Sequence, residues 1–425
     1  MLFRSIYSRY GIRFRTSEVN AYAVVAQDNI EFDNCFVTMI RESQSDAIST
    51  KSLDIRESRV RIERSGGTAI RCDEYFTISD SNLIAKGTVA GINSQYTWIR
   101  KGNTIEAEGA EGAIFGVTDK NGKIINVDYG SVFLAPKSPT IGPHGIMENG
   151  KNATYVSIRP LEESDNGSVW RGNKPVSYIS LPTLSTVQLE VKTKDGYFVS
   201  GAWVQKNNGI VSIDKTGLVK AKKYGKTKIV YDVGSNELTC DVQTRFYDVN
   251  NPAQPGYKQI YWGVDNGIIN GFDGGVYFGP DLPCTRLQFA VMMWRAEGKP
   301  KASGILTFKD TKNLDPNTDS YKAILWASKN GIVKGYPDNT FRPNKNITRE
   351  SIVIILWRMA GKPLARKGLP FKDTKSLSKT STAYKSIAWA SETGIVKGYT
   401  DNTFRKDDYC KRFQCIILIY RYVNR

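Results

Sequence analysis

Gly335-Tyr336-Pro337-Asp338-Asn339-Thr340-Phe341-Arg342-Pro343, followed by Ile347-Thr348-Arg349-Glu350, is the stretch that decides how the last part of this 425-residue chain folds. It returns as Gly398-Tyr399-Thr400-Asp401-Asn402-Thr403-Phe404-Arg405 with Arg412, and an eroded form precedes it as Gly271-Phe272-Asp273, Phe278 and Thr285-Arg286. Each loop has the same prelude: Phe308-Lys309-Asp310, Tyr321, Trp326 and Gly331 in one case, Phe371-Lys372-Asp373, Tyr384, Trp389 and Gly394 in the next. The first copy reads Phe246-Tyr247-Asp248, Tyr257, Trp262 and Gly267. Arg286, Arg349 and Arg412 recur every 63 residues, so the region holds three copies of one structural unit. Tandem units of this kind are more often binding surfaces than catalytic centres.

Within a copy, Tyr321 to Asn330 reads as a helix capped by Ser320, with Ile324, Leu325 and Ala327 as its apolar stripe and Gly331 and Gly335 as its stop. The loop from Gly335 to Asn344 is dense in Gly, Pro, Asp and Asn, with Phe341 as its buried anchor. Thr348 caps a second helix, Arg349 to Ala360, in which Ile352, Ile355, Leu356 and Met359 fall at helical spacing. Thr285 and Gln288 form a capping box in the first copy. Lys411 stands at that position in the third copy, which predicts a weaker helix start.

The charge is unevenly spread. Of the net +17, residues 245–425 carry 29 Lys/Arg against 15 Asp/Glu, whereas residues 1–244 carry 30 against 27. A basic module implies an anionic partner: nucleic acid, an acidic surface or an acidic polysaccharide. No nucleic-acid motif accompanies the charge, so no specific nucleic-acid binding is expected. The six cysteines are too scattered for a disulfide framework or a zinc site, and Cys410 and Cys415 occupy apolar core positions. His144, the single histidine, lies in a turn, Pro143-His144-Gly145, where a solvated role is expected, so no metal and no cofactor is implied. No apolar run approaches the ~20 residues that span a bilayer. Met1 to Arg9 lacks a continuous apolar stretch, so no secretory signal is read there; the natural N-terminus is expected to lie upstream, or the chain to be a fragment.

The threefold pattern resembles the S-layer homology module over all three copies, most strongly at 335–343 and 347–350, with Cys284-Thr285-Arg286-Leu287-Gln288 as a variant form. The resemblance implies a pseudo-threefold prism whose grooves hold a secondary cell-wall polysaccharide, often one bearing acidic pyruvyl ketals, without covalent attachment. A ketal carboxylate suits a two-pronged guanidinium contact, and the C–H face of a sugar suits an aromatic ring. Carried over by position, the candidates are Arg286, Arg349 and Arg412 at the helix starts, Lys334 and Lys397 before the loop glycines, and Asp273, Asp338 and Asp401 in the loops. The alternative role for the arginines is pairing with loop aspartates to hold the prism together. Trp326 and Trp389 are candidates for glycan contact, with core packing as the competing role. Gly279 stands where the other copies have Arg342 and Arg405, which points to the middle copy as the best-preserved binding element.

Residues 182–244 read as brief alternating strands: Val187 to Val191, Gly201 to Val204, Ile210 to Ile213, Leu218 to Ala221, Lys228 to Tyr231 and Leu238 to Val242. Ala202-Trp203, Asp214-Lys215-Thr216-Gly217 and Gly225-Lys226-Thr227 resemble a bacterial immunoglobulin-like domain of the intimin type, with Trp203 in the core and Asp214 and Gly217 building a turn. That resemblance implies a stiff spacer.

A second repeat runs through residues 20–135 at a period of 22–23. Its columns are Ile30, Leu53, Phe76 and Trp98; Val37, Val60, Leu83 and Ile105; Met39, Ile62, Ala85 and Ala107; and Val25, Ile48, Ile70, Ile92 and Ile114. Cys35, Ser58, Ser81 and Asn103 share a column where the chain turns, and a fifth coil is expected around Ile125 to Leu134, after an excursion at Asp119-Lys120-Asn121-Gly122. Fixed-period alternating strands predict a parallel β-helix, with a sandwich of hairpins as the alternative. The columns resemble right-handed β-helix proteins, several of which cleave or bind polysaccharides. The outward charges Glu57, Arg59, Glu63, Asp80, Lys86 and Arg100 read as scattered, which argues against a catalytic constellation.

The expected architecture is therefore multidomain. It comprises an all-β parallel β-helix with cap (1–165), a linker (166–181), an immunoglobulin-like β-sandwich (182–244), and an all-α triple helix-loop-helix bundle (245–305, 306–368 and 369–425). The expected function is non-enzymatic: attachment to an acidic wall glycan at the cell surface, with the β-helix binding a further glycan or surface ligand. The alternative is a wall-anchored polysaccharide lyase or hydrolase.

Overall fold

The structure, a computed structural model, describes every residue except 1, 4–5, 16–17, 22, 44, 116–124, 130, 138, 143–144, 150, 163–164, 166, 205–208 and 235. His144 and the excursion at residues 119–122 lie outside the described residues. The chain divides into two compact units, Met1–Leu181 with Ser185–Gln243, and Pro182–Leu184 with Thr244–Arg425.

The first unit begins as a parallel β-solenoid. On one face Val37 pairs with Val60, Val60 with Leu83, and Leu83 with Ile105. On the other, Ile48 pairs with Ile70, Ile70 with Ile92, and Ile92 with Ile114. Hairpins are antiparallel, so these parallel ladders exclude the alternative of a hairpin sandwich over the repeat. Alternation sends every second side chain inward, and the columns close into one core in which Phe32, Ile55, Phe76, Ile78 and Ile99 are fully buried. Short branched side chains stacked at the ~4.8 Å strand spacing fill a narrow interior without voids.

The turn column has a physical basis. Cys35 N donates to Ser58 Oγ at 2.9 Å, Ser58 N to Ser81 Oγ at 3.0 Å, and Ser81 N to Asn103 Oδ1 at 2.9 Å. The ladder satisfies backbone donors that the corner removes from the sheets. Asn34, Glu57 and Asp80 precede it at φ 52°, 46° and 48°, so each coil turns through the left-handed region at the same place.

Three expectations are corrected. Phe76 pairs with Thr97, and not with Trp98, because the ladder slips between Cys72 and Tyr75. Thr97 is buried and Trp98 is 47% exposed. Val24, and not Val25, joins the Ile48 column. Ile125–Val127 does continue the coils, pairing with Thr97–Ile99. Ser131–Ala135, however, pairs antiparallel with Tyr155–Pro160, which itself runs antiparallel along Thr104–Glu108 and caps the parallel edge. The coils also start earlier than the sequence period: Ile12–Arg15 pairs in parallel with Asn29–Asp33 at an 18-residue spacing, too short to match the later repeat.

Beyond the cap lie two small antiparallel sheets, one of four strands and one of three, around a separate core with Trp203 and Tyr231 in edge-to-face contact. Asp214 Oδ1 accepts from Thr216 N, Thr216 Oγ1 and Leu218 N. Gly217 completes that turn at φ 86°, where a Cβ would strike Leu189 O and the Trp203 indole. Residues 166–181 are not a linker: Ser168–Arg171 pairs with Glu190–Lys192, and Tyr178–Pro182 is a further strand.

The second unit is helical: α1 (Tyr257–Asp265), α2 (Arg286–Ala296), α3 (Asp319–Lys329), α4 (Arg349–Met359), α5 (Thr382–Glu392) and α6 (Arg412–Val423). Thr285, Thr348 and Ser381 cap their helices as N-cap oxygens should, and Thr285 makes the expected box with Gln288. Thr318, and not Ser320, caps α3, since its hydroxyl accepts from Tyr321 N. A lysine ammonium cannot accept a hydrogen bond, so α6 retains only the reach-back from Lys411 N to Gln414 Oε1.

The three copies close on themselves. The second helix of each packs on the first helix of the next: α2 on α3, α4 on α5, and α6 on α1. At the centre Ile347 N donates to Cys284 O, Cys410 N to Ile347 O, and Cys284 N to Cys410 O, a three-membered cycle of backbone hydrogen bonds. All six cysteines are buried, and none is in a disulfide. Cys284, distant in sequence, comes together here with Cys410 and Cys415, and burial pushes the Cys415 thiol well above its ordinary pKa.

Candidate functional site

The cyclic packing brings neighbouring copies together at three junctions, the candidate grooves, each built from two copies. Arg286 begins α2 of the first copy, yet its Nε donates to Phe341 O of the second copy's loop at 2.9 Å. Arg349 does the same to Phe404 O of the third at 2.8 Å, and Arg412 to Phe278 O of the first at 3.1 Å. Each guanidinium lies against two rings: Arg286 on Tyr336 and Phe341, Arg349 on Tyr399 and Phe404, Arg412 on Phe272 and Phe278, all within 5.1 Å of a centroid. The three side chains are under 10% exposed. Burial draws the Arg286 and Arg412 pKa values below the usual arginine range, but a guanidinium retains its charge.

The loops are set by an acid that sequence reading had passed over. Asp310 accepts from Phe341 N at 2.8 Å and Arg342 N at 2.7 Å, Asp373 from Phe404 N and Arg405 N, and Asp248 from Phe278 N and Gly279 N. The signal was present as the recurring Phe-x-Asp about 31 residues ahead of each loop phenylalanine. Held this way, Arg342 and Arg405 adopt φ 59° and 57°, and their guanidiniums lie 4.0 and 4.1 Å from the Tyr336 and Tyr399 centroids. Each tyrosine thus has two arginines against it, one from each copy. Lys345 adds a third cation 5.1 Å from Tyr336.

The other candidates sort by position. Asp338 accepts from Thr340 and pairs with Arg342 Nη2 at 3.0 Å; Asp401 repeats this with Thr403 and Arg405 at 2.9 Å. Hydrogen bonds from the threonines and then the arginines push both carboxyls down to about 2. The loop aspartates therefore tie Arg342 and Arg405. Among the described residues no ion pair reaches Arg286, Arg349 or Arg412, whose partners are carbonyls and rings. Lys334 and Lys397 are exposed at the loop entries. Asp273 is exposed at φ 49°, and with Gly279 at the arginine position it has no equivalent of the Asp338–Arg342 pair. Trp326 and Trp389 are 7% and 5% exposed, their side chains buried in the helical unit. Two grooves, those of Arg286 with Tyr336 and Arg349 with Tyr399, hold the full pair of arginines; the third has Phe272 and Gly279 instead.

This loop, clamp and cap pattern matches a known family model at residues 245–290, 307–352 and 370–414, described as the S-layer homology domain. The chain carries three S-layer homology domains. It is similar to Cell surface glycoprotein 1 of Acetivibrio thermocellus, 26% identical over 42% of this chain and 8% of that protein. The Cellulosome-anchoring protein of the same organism is 31% identical over 37% of this chain and 36% of its own length. An Endoglucanase of a Bacillus species is 31% identical over 36% of this chain and 15% of its own. The chain thus spans from under a tenth to just over a third of the curated relatives it matches. Among the described residues no helix is long and apolar enough to cross a membrane, and no His/Cys/Asp/Glu group is placed to hold a metal.

Proposed function

We propose that the three S-layer homology domains hold this chain at a bacterial cell surface by gripping an acidic, pyruvylated secondary cell-wall polysaccharide whose carboxylates are the groups recognised. The observation that carries this reading is the pair of arginines on Tyr336, repeated on Tyr399. Two cations fixed around one ring in a cleft make an anion receptor with little freedom to lose on binding. Arg342, Arg405, Lys334 and Lys397 supply exposed charge, while Arg286 and Arg349 set the groove walls. Names of relatives that speak of cell surfaces and anchoring point the same way.

In this reading the small sandwich with Trp203 is an intimin-type immunoglobulin-like spacer, and the solenoid is the cargo, binding a carbohydrate or a surface. The test is sedimentation of the full chain with protein-stripped sacculi, with and without chemical removal of the acidic polymer. Retention should need the polymer and should fall at least tenfold in an Arg342→Ala, Arg405→Ala double variant. Equal retention on stripped and complete sacculi would sink the assignment.

One observation favours the enzymatic alternative. Glu63, Lys86 and Glu108 are not scattered: they line one open cavity of about 750 Å³ with Tyr155. A pair of carboxylates is the raw material of glycan cleavage. Release of new reducing or unsaturated ends from pectin or alginate, lost in Glu63→Gln, decides for that alternative.

A further inference from the structure

On the other solenoid face the structure does something uneconomical. Thr97 is 1% exposed, and its Oγ1 has no hydrogen-bond partner among the described residues, while the neighbouring Trp98 is 47% exposed. A one-residue slip would exchange them but would also expel Ile99, which is fully buried, so the register keeps the indole outside. Tyr75 and Tyr96, cross-strand neighbours on the same outward face, stack with centroids 5.2 Å apart, and Tyr75 is 53% exposed. The Arg100 guanidinium lies 5.1 Å from the Trp98 ring.

This aromatic stripe runs into a cleft. Thr77, which pairs with Trp98 across the ladder, and Ser79 line an open depression of about 510 Å³. Its charged lining is balanced: Asp54, Asp80 and Asp128 against Arg56, Arg100 and Lys101. Arg56 is already fixed by Asp54 at 2.7 Å and Glu31 at 2.8 Å. Such a surface has no net attraction for an ion. What it offers is planar acceptors and donors for paired hydroxyls beside ring faces for C–H groups. Nucleic acid would need excess positive charge.

We infer that the face bearing Tyr75, Trp98 and Arg100 binds an uncharged glycan chain, so that this molecule holds two polysaccharides of different charge at once. The inference rests on the reading of the solenoid as carbohydrate-binding cargo and names its site and ligand class. The full chain is run by affinity electrophoresis in acidic native gels containing soluble β-glucan, xylan or glucomannan. At least one of the three retards the wild type. Tyr75→Ala and Trp98→Ala each weaken retardation at least tenfold, Trp98→Phe stays within threefold, and Arg342→Ala, in the helical unit, has no effect. No retardation by any of the three glycans, or equal retardation of wild type and Trp98→Ala, overturns the inference. An unchanged thermal midpoint shows that each variant is folded, and Tyr75→Ala serves if Trp98→Ala is not. Sedimentation of the same preparations with sacculi reports on the wall anchor separately, so either claim can fail while the other stands.

Discussion

Arg286 and Tyr336 sit in successive copies, 50 residues apart in sequence, and meet with the guanidinium 5.0 Å from the ring centroid. Neither copy alone owns the groove they form. The guanidinium is buried, hydrogen-bonded through Nε and flanked by two rings, so it stabilises the packing of one copy on the next, besides the glycan contact proposed for it.

That dual role separates two classes of variant. Arg349→Ala removes a buried side chain and its bond to Phe404 O, and should cost about 2–4 kcal/mol of stability. Arg342→Ala removes an exposed one and should leave the unfolding midpoint nearly unchanged while weakening sacculus binding. Denaturant unfolding of both variants beside sedimentation checks the split; equal destabilisation by the two contradicts it.

Asp310 holds two backbone N–H groups of its loop with charged hydrogen bonds, each worth about 1.5–3 kcal/mol. Asp310→Ala should therefore destabilise the helical unit more than Asp338→Ala, whose carboxylate acts at an exposed position. Thermal unfolding of the pair decides the order.

Asp338 and Asp401 have folded-state pKa values pushed down to about 2, against about 4 when unfolded. A depressed carboxyl contributes stability above the unfolded value, and the contribution is lost as pH falls through the folded one. The stability difference between wild type and Asp338→Asn should be constant above about pH 5, shrink from pH 4 downward and vanish below about pH 2. A difference that grows on acidification would show that the bonds from Thr340 and then Arg342 do not hold this carboxyl down.

Gly279→Arg should repair the third groove. Arg342 and Arg405 already adopt the left-handed backbone at the equivalent position, and a Cβ on Gly279 would press chiefly on the flexible end of Leu282. The substitution should cost about 1–2 kcal/mol for the backbone and increase retention on sacculi. Retention no better than wild type would mean that Phe272 cannot stand in for the groove tyrosine.

In the solenoid, Ser58→Ala strips the acceptor of Cys35 N and leaves a buried donor unmatched, at a cost of about 1–3 kcal/mol. Urea unfolding of this variant against Ser58→Thr, which keeps the hydroxyl, isolates the ladder.

Much of this was legible because repeats print their geometry into the sequence. The Val37–Val60–Leu83–Ile105 column and the Ser58–Ser81–Asn103 ladder could be read from spacing, since a solenoid stacks equal periods. Trp98 was misplaced because a one-residue slip after Cys72 is invisible to a counting rule, and hydrophobicity argued for the indole inside. Helix starts at Thr285 and Thr348 were legible from cap chemistry, whereas Thr318 lost out to Ser320 because two hydroxyl residues two positions apart offer the same signal. The grooves were half legible. The arginines stood out by period, but nothing local in sequence says that each docks on the neighbouring copy's loop, or that Asp310 rather than Asp338 fixes the backbone. Those are long-range facts, set by how the copies close.

The cycle through Cys284, Ile347 and Cys410 has a consequence for counting. Each copy gives one backbone donor and takes one, and the last gives to the first, so the arrangement is complete at three and at no other number. Deleting a copy would leave a broken triangle with an orphaned amide and an orphaned carbonyl, rather than two-thirds of an anchor. A fourth copy in tandem would find no vacancy. Multiplicity here is a matter of topology, and strength of attachment cannot be graded by lengthening the array.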